Sequence, residues 1–153
     1  MRSLILLFLL LFSLHAQSDE KRVVFDLTIG DVNRFEQVVL KGTESHATHY
    51  AEQLQEYRPV FVIHGESYRF FLKDLKGTPY EGDTELQKRR ADLETRLASL
   101  VENYGAVFEV CSAGMRKKKL SFENLYPFVT PIFTSSTGLI EWQEKGYAYI
   151  MVK

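Results

Sequence analysis

Val107-Phe108-Glu109-Val110-Cys111-Ser112-Ala113-Gly114-Met115-Arg116-Lys117-Lys118-Lys119 joins an apolar run to small residues and then to four consecutive cations. The run has the composition of a buried strand, and it ends at Cys111, the single cysteine of the 153-residue chain. A thiol at a strand end, on a turn leading to positive charge, stands where a thiolate is stabilised. Free cysteine is also among the most buried residue types, so simple packing in the core is the competing reading of Cys111.

The pattern of this stretch recurs in both directions along the chain. Val23 to Ile29 and Pro59 to Ile63 are β-branched or apolar runs with little alternation, the mark of strands covered on both faces. Between them Val32, Phe35, Val39, Thr43, Ala47, Tyr50 and Leu54 keep a three-or-four spacing that predicts one face of a long helix. Tyr68, Phe71, Leu72 and Leu75 read as a short amphipathic helix stopped by Gly77 and Pro79. Thr84-Glu85-Leu86-Gln87 fits a capping box, and the helix that follows carries Leu86, Arg90, Leu93, Leu97, Leu100 and Tyr104 on one stripe.

After the Cys111 strand, Ser121 caps a single turn through Asn124 and Leu125. Phe128 to Phe133 reads as a strand that Pro131 confines to a sheet edge. Leu139, Ile140, Trp142 and Gln143 form a last short helix, and Tyr147 to Val152 a last strand. Strands alternating with helices imply a parallel sheet with helices on both faces. The fold class is therefore α/β in one domain, residues 17–153 with a core of about 23–152.

The amino terminus is of another kind. Arg2 is followed by unbroken apolar sequence from Leu4 to Phe12, and Leu14-His15-Ala16 ends on a small residue, the pattern of a secretory signal peptide spanning 1–16. The apolar run is about half of the roughly 20 residues a membrane-spanning helix needs, so no stable membrane insertion is expected after cleavage. The expected location is outside the cytoplasm, most simply the periplasm. An oxidising compartment uses cysteines in pairs, and a lone Cys111 must be buried, paired between chains or chemically used. A formal net charge of −1 gives no electrostatic reason to expect nucleic acid as a partner.

In open α/β sheets ligands bind outside the carboxyl ends of the strands. Gly30-Asp31, His64-Gly65-Glu66 and Cys111 to Gly114 occupy such ends. If the second and third strands are neighbours, His64 comes to the same edge as Cys111, where an imidazolium would stabilise a thiolate; the alternative is a histidine that only ties its loop. Glu66 reads as a helix-start carboxylate. His46 and His49 lack a third ligand of suitable spacing, so no metal is assigned. No phosphate-binding glycine loop or serine nucleophile elbow is present, and no cofactor is expected. The cation run reads as a solvated loop.

His64 through Leu75, Val107 through Gly114, Gly138-Leu139-Ile140-Glu141-Trp142-Gln143 and Gly146-Tyr147-Ala148-Tyr149-Ile150 together resemble the DsrE/DsrF-like sulfur-relay family. The resemblance implies a three-layer α/β/α sandwich with a five-stranded, mainly parallel sheet, and a homo-oligomer, trimer or hexamer. It implies a sulfur carrier in which Cys111 holds a persulfide between a donor and an acceptor thiol, with His64 lining the pocket. The well-understood relays are cytoplasmic, so an export signal departs from the pattern and leaves donor and acceptor open. The alternative functions are a non-catalytic oligomeric protein that binds a small sulfur compound, a metal or a protein partner, and an oligomer in which Cys111 is structural.

Overall fold

The computed structural model describes residues 19–153, and the signal-peptide reading of 1–16 lies outside the described residues. Five strands, β1 (Glu20–Leu27), β2 (Glu56–Ile63), β3 (Val107–Cys111), β4 (Val129–Ile132) and β5 (Ala148–Val152), form one sheet in the order β4-β3-β2-β1-β5. Every pair is parallel, so all five carboxyl ends share one edge. β2 and β3 are neighbours, with Val60 opposite Val107 and Ile63 opposite Val110.

Both prolines obey the ladder. Pro131 lies in β4, the outer strand, as expected. Pro59 lies in β2, one residue before the pairing with β3 begins, so its missing N–H falls where β2 has only β1 beside it.

The two faces of the sheet differ. On one, Phe25, Phe61 and Phe108 stand opposite each other in register and stack with centroids 4.8 and 5.1 Å apart. Val23, Leu27, Ile63 and Val110 complete that face, which packs on Phe35 and Val39 and on Leu86, Leu93, Leu97 and Leu100. The other face buries Val24, Val60 and Val62 against Leu139 and Trp142 of a single helix. The sheet thus has helices on both sides, one layer thick and the other thin.

The helices follow local chemistry. α1 (Val32–Phe35), a π-helical turn at Glu36–Lys41 and α2 (Gly42–Ala51) run on without a break, started by Asp31, whose carboxylate accepts from the Arg34 amide at 2.7 Å. The expected stripe holds from Val32 to Thr43 and then fails. Ala47 and Tyr50 are only partly buried, and Leu54 is 94% exposed beyond the helix end with φ at +59°. Each π-turn takes one residue more than an α-turn, which rotates the face that follows away from the sheet.

Other elements also depart from expectation. Tyr68 to Leu75 is no amphipathic helix: one 3₁₀ turn at Ser67–Phe71 gives way to extended chain at Leu72. Ser67, Tyr68, Phe70 and Phe71 are all buried, which leaves no polar face for a surface helix. α3 (Thr84–Tyr104) is capped by Asp83 rather than Thr84, its carboxylate accepting from the Leu86 amide at 3.0 Å. The cation run is only half a loop: α4 (Ser112–Lys117) starts immediately after Cys111 and takes in Arg116 and Lys117, while Lys118 and Lys119 form the turn that follows. Ser121 caps a 3₁₀ turn at Phe122–Asn124 as expected. α5 (Ser135–Glu144) begins well before Leu139, on a capping box made by Thr134 and Thr137. Among the described residues no helix is long and apolar enough to cross a membrane.

Candidate functional site

Cys111 ends β3 and is at the same time the N-cap of α4, with φ −65° and ψ 107°. Its Sγ accepts a hydrogen bond from the Gly114 amide at 3.5 Å. The Tyr68 hydroxyl, buried beneath, donates to the Cys111 carbonyl at 3.1 Å. That approach needs Gly114, since a Cβ there would stand 1.9 Å from the tyrosine oxygen. Ser135, the first residue of α5, brings its amide and hydroxyl to the same sulfur. Only 6% of the residue is exposed.

Electrostatics at the thiol oppose one another. Burial pushes the Cys111 thiol up. The amides of Gly114 and Ser135 and the hydroxyls of Tyr68 and Ser135 outweigh it and hold the thiol below its ordinary value. Burial, with Cys111 beside it, raises Tyr68 well above the usual tyrosine range, so its hydroxyl stays a donor. A sulfur anion here is solvated by fixed donors instead of water.

His64 reaches the same edge of the sheet, one position past the Ile63–Val110 pair as Cys111 is. Its Nε2 bonds to a carboxylate and not to the sulfur. Nε2 lies 2.5 Å from Asp26 Oδ1, and Tyr149 donates from its hydroxyl to Asp26 Oδ2 at 2.7 Å. Among the described residues no hydrogen bond joins His64 to Cys111. Glu66 belongs to neither group: Lys118 binds it at 2.8 Å and Arg69 at 2.6 Å, and the Lys118 bond first holds its carboxyl below the usual range. The same two cations lie over the Tyr80 ring, at 5.6 and 4.6 Å from its centroid. Lys118 is thus tied down, while Arg116, Lys117 and Lys119 face solvent.

His46 and His49 sit on α2; His49 is bonded to Gln53 at 2.8 Å and His46 tilts on Tyr57. Among the described residues no three His, Cys, Asp or Glu side chains converge as a metal site would require. A groove of about 700 Å³ lies at the opposite end of the strands, between α2 and β5, lined by Val23, Phe25, Tyr50, Tyr57 and Ile150. It contains no cysteine, and chemistry rather than size marks the Cys111 edge.

Ser135, Tyr68, Asp26 and Tyr149 are the site residues that sequence reading passed over. Asp26 had a signal: it is the one carboxylate in the run from Val23 to Ile29. Ser135 had none, since its contact depends on how β4 and α5 return to β3.

Known proteins place the chain. It is 29% identical over 130 residues to an uncharacterized protein of Aquifex aeolicus (strain VF5), a match covering 84% of this chain and 55% of that protein. The chain therefore spans about half the length of this curated relative. The solved structure of a protein of unknown function, MTH1491 from Methanobacterium thermoautotrophicum, shares the fold with a TM-score of 0.60. It is 19% identical and the match covers 88% of this chain and 99% of that one. The sequence profile of the DsrE/DsrF-like family matches residues 36–152, which takes in β2 to β5 and both the Cys111 and His64 ends, and the chain belongs to that family.

Proposed function

We propose that the protein is a sulfur carrier, with Cys111 holding a persulfide between a sulfane donor and an acceptor thiol. The observation that carries this reading is the Cys111 sulfur set among the Gly114 and Ser135 donors at the carboxyl edge of a parallel sheet. In loading, the Cys111 thiolate attacks the outer sulfur of a donor persulfide. The donor's S–S bond breaks, its inner sulfur leaves as a thiolate, and Cys111 keeps the sulfane sulfur. The amides and hydroxyls that hold the thiolate also receive it back when an acceptor thiol removes that sulfur. His64 lines the pocket, with its Nε2 bonded to Asp26 and not to the sulfur.

Export to the periplasm after cleavage behind Ala16, and assembly with further copies of the chain, complete the reading; neither nucleic acid nor a resident cofactor enters it. Mass spectrometry of the purified protein after exposure to inorganic polysulfide should show added mass on Cys111. The adduct should vanish on reduction and be missing in Cys111→Ser. Wild-type protein that gains no sulfur, or a Cys111→Ser variant that gains the same amount, sinks the proposal.

A further inference from the structure

The strands bring together a second cluster that the thiol itself does not use. Asp26 comes from β1, His64 from the end of β2 and Tyr149 from β5, on the face of the sheet that α5 leaves partly open. Asp26 holds one partner on each oxygen, His64 Nε2 on Oδ1 and the Tyr149 hydroxyl on Oδ2, and a carboxylate in its anionic form offers only acceptors to both. Nε2 of His64 therefore carries a proton, and in the neutral ring the lone pair is on Nδ1. Asp26 is mostly buried, and Tyr149 is held as a donor because the Asp26 bond, then burial, raises it. The other ionisable groups around the ring are accounted for. Glu109 of β3 accepts from the Trp142 indole at 2.8 Å, and Glu66, two residues on, is bound by Lys118 and Arg69. Cys111 is the remaining neighbour, on the adjacent strand.

We propose that Asp26 and Tyr149 are positioning residues that fix the tautomer of His64, and that His64 Nδ1 is the base for the thiol that unloads Cys111. The proposal rests on the carrier reading. Such a base needs no hydrogen bond to Cys111 itself, only a place on the neighbouring strand end. Adjacent strands are about 4.8 Å apart, an outer sulfur adds about 2.05 Å to Sγ, and an attacking atom needs about 3–3.5 Å more. A base touching Sγ would leave no room for the second thiol.

The step balances without an oxidant. An alkyl thiol R–SH gives its proton to Nδ1, and the resulting thiolate attacks the outer sulfur of Cys111–S–SH. The R–S–S bond forms, the Cys111 S–S bond breaks, and its electron pair stays on Sγ as the thiolate held by Gly114 and Ser135. The product R–S–SH keeps the proton on its outer sulfur, and solvent removes the proton on His64. The sulfane sulfur does not change oxidation state.

The test is single-turnover unloading of polysulfide-loaded protein by two acceptors, 2-mercaptoethanol and an aromatic thiol already ionised at neutral pH. Compared per loaded Cys111, His64→Gln should unload to 2-mercaptoethanol about 100-fold more slowly than the wild type, a typical share for a positioned base. With the aromatic thiolate the two proteins should unload alike, because no proton has to be taken. Asp26→Asn should follow His64→Gln, since an amide can donate to Nε2 and force the proton onto Nδ1. Tyr149→Phe should show a smaller loss of the same kind. Equal losses with both acceptors mark a structural role and overturn the proposal, as does no loss with either. Wild-type protein that never loads overturns the carrier reading itself, an outcome visible before any unloading is measured.

Discussion

At the scale of single residues, the sequence singled out Cys111 because it is the only thiol, and its strand-end place followed from the run before it. What tunes the sulfur was not legible in the same way. Gly114 stands three residues on and belonged to the quoted stretch, but its reason for being glycine is the Tyr68 hydroxyl, which arrives from the turn after β2. Ser135 arrives from α5. Its hydroxyl and amide both lower the thiol, so Ser135→Ala keeps the amide, loses the hydroxyl, and should move the thiol back up towards its ordinary range. A higher pKa means less thiolate at neutral pH. Alkylation by iodoacetamide should therefore be slower near pH 7 and equal to wild type at alkaline plateau, with the midpoint of the rate–pH curve displaced upwards. An unmoved midpoint, or one displaced downwards, contradicts the assignment of Ser135 to the thiolate.

The legibility of whole elements followed their signals. The five strands and the edge position of β4 were readable, because β-branched runs and one proline carry that information locally. The π-turn at Glu36–Lys41 was not, since a side-chain period of three or four does not announce one extra residue, and the buried stripe beyond Thr43 failed for that reason. The start of α5 was missed because its first turn, Ser135-Ser136-Thr137-Gly138, looks like a loop in composition. Gly138 has a packing reason. A Cβ there would lie 2.4 Å from Ile132 Cδ1, so the glycine lets the helix on the thin face sit directly on β4 and β3. Gly138→Val should lift α5 and cost about 1–3 kcal/mol by overpacking, seen as a lower urea midpoint. Trp142 is the chain's single tryptophan and donates to Glu109 from that same helix. Its fluorescence should shift to the red in the variant. An unchanged spectrum and midpoint would mean that the thin face has slack that the contact does not show.

For the whole molecule, the sheet order puts β5 at an edge, next to β1, and nothing within the strand blunts that edge. Ala148–Val152 contains neither charge nor proline, the two devices that usually protect an outer strand. Its apolar side chains are open, with Ile150 46% and Met151 49% exposed, and Ile140 on the thin-face helix 54% exposed. Open apolar groups contiguous with unpaired backbone mark an association surface, and a second copy of the chain is the partner that the family resemblance implies. The carboxyl end of β3, two strands away across β2 and β1, is not part of that edge, so a copy docked on β5 would leave Cys111 uncovered. Ile150→Lys places a charge on the edge without touching the buried core, because Val152 is the residue of β5 that the core holds. Light scattering at micromolar concentration should give a multimer for wild type and a smaller mass for Ile150→Lys, with the far-ultraviolet circular dichroism of the two unchanged. A monomeric wild type, or a variant that keeps the wild-type mass, removes the edge from consideration as the contact between copies.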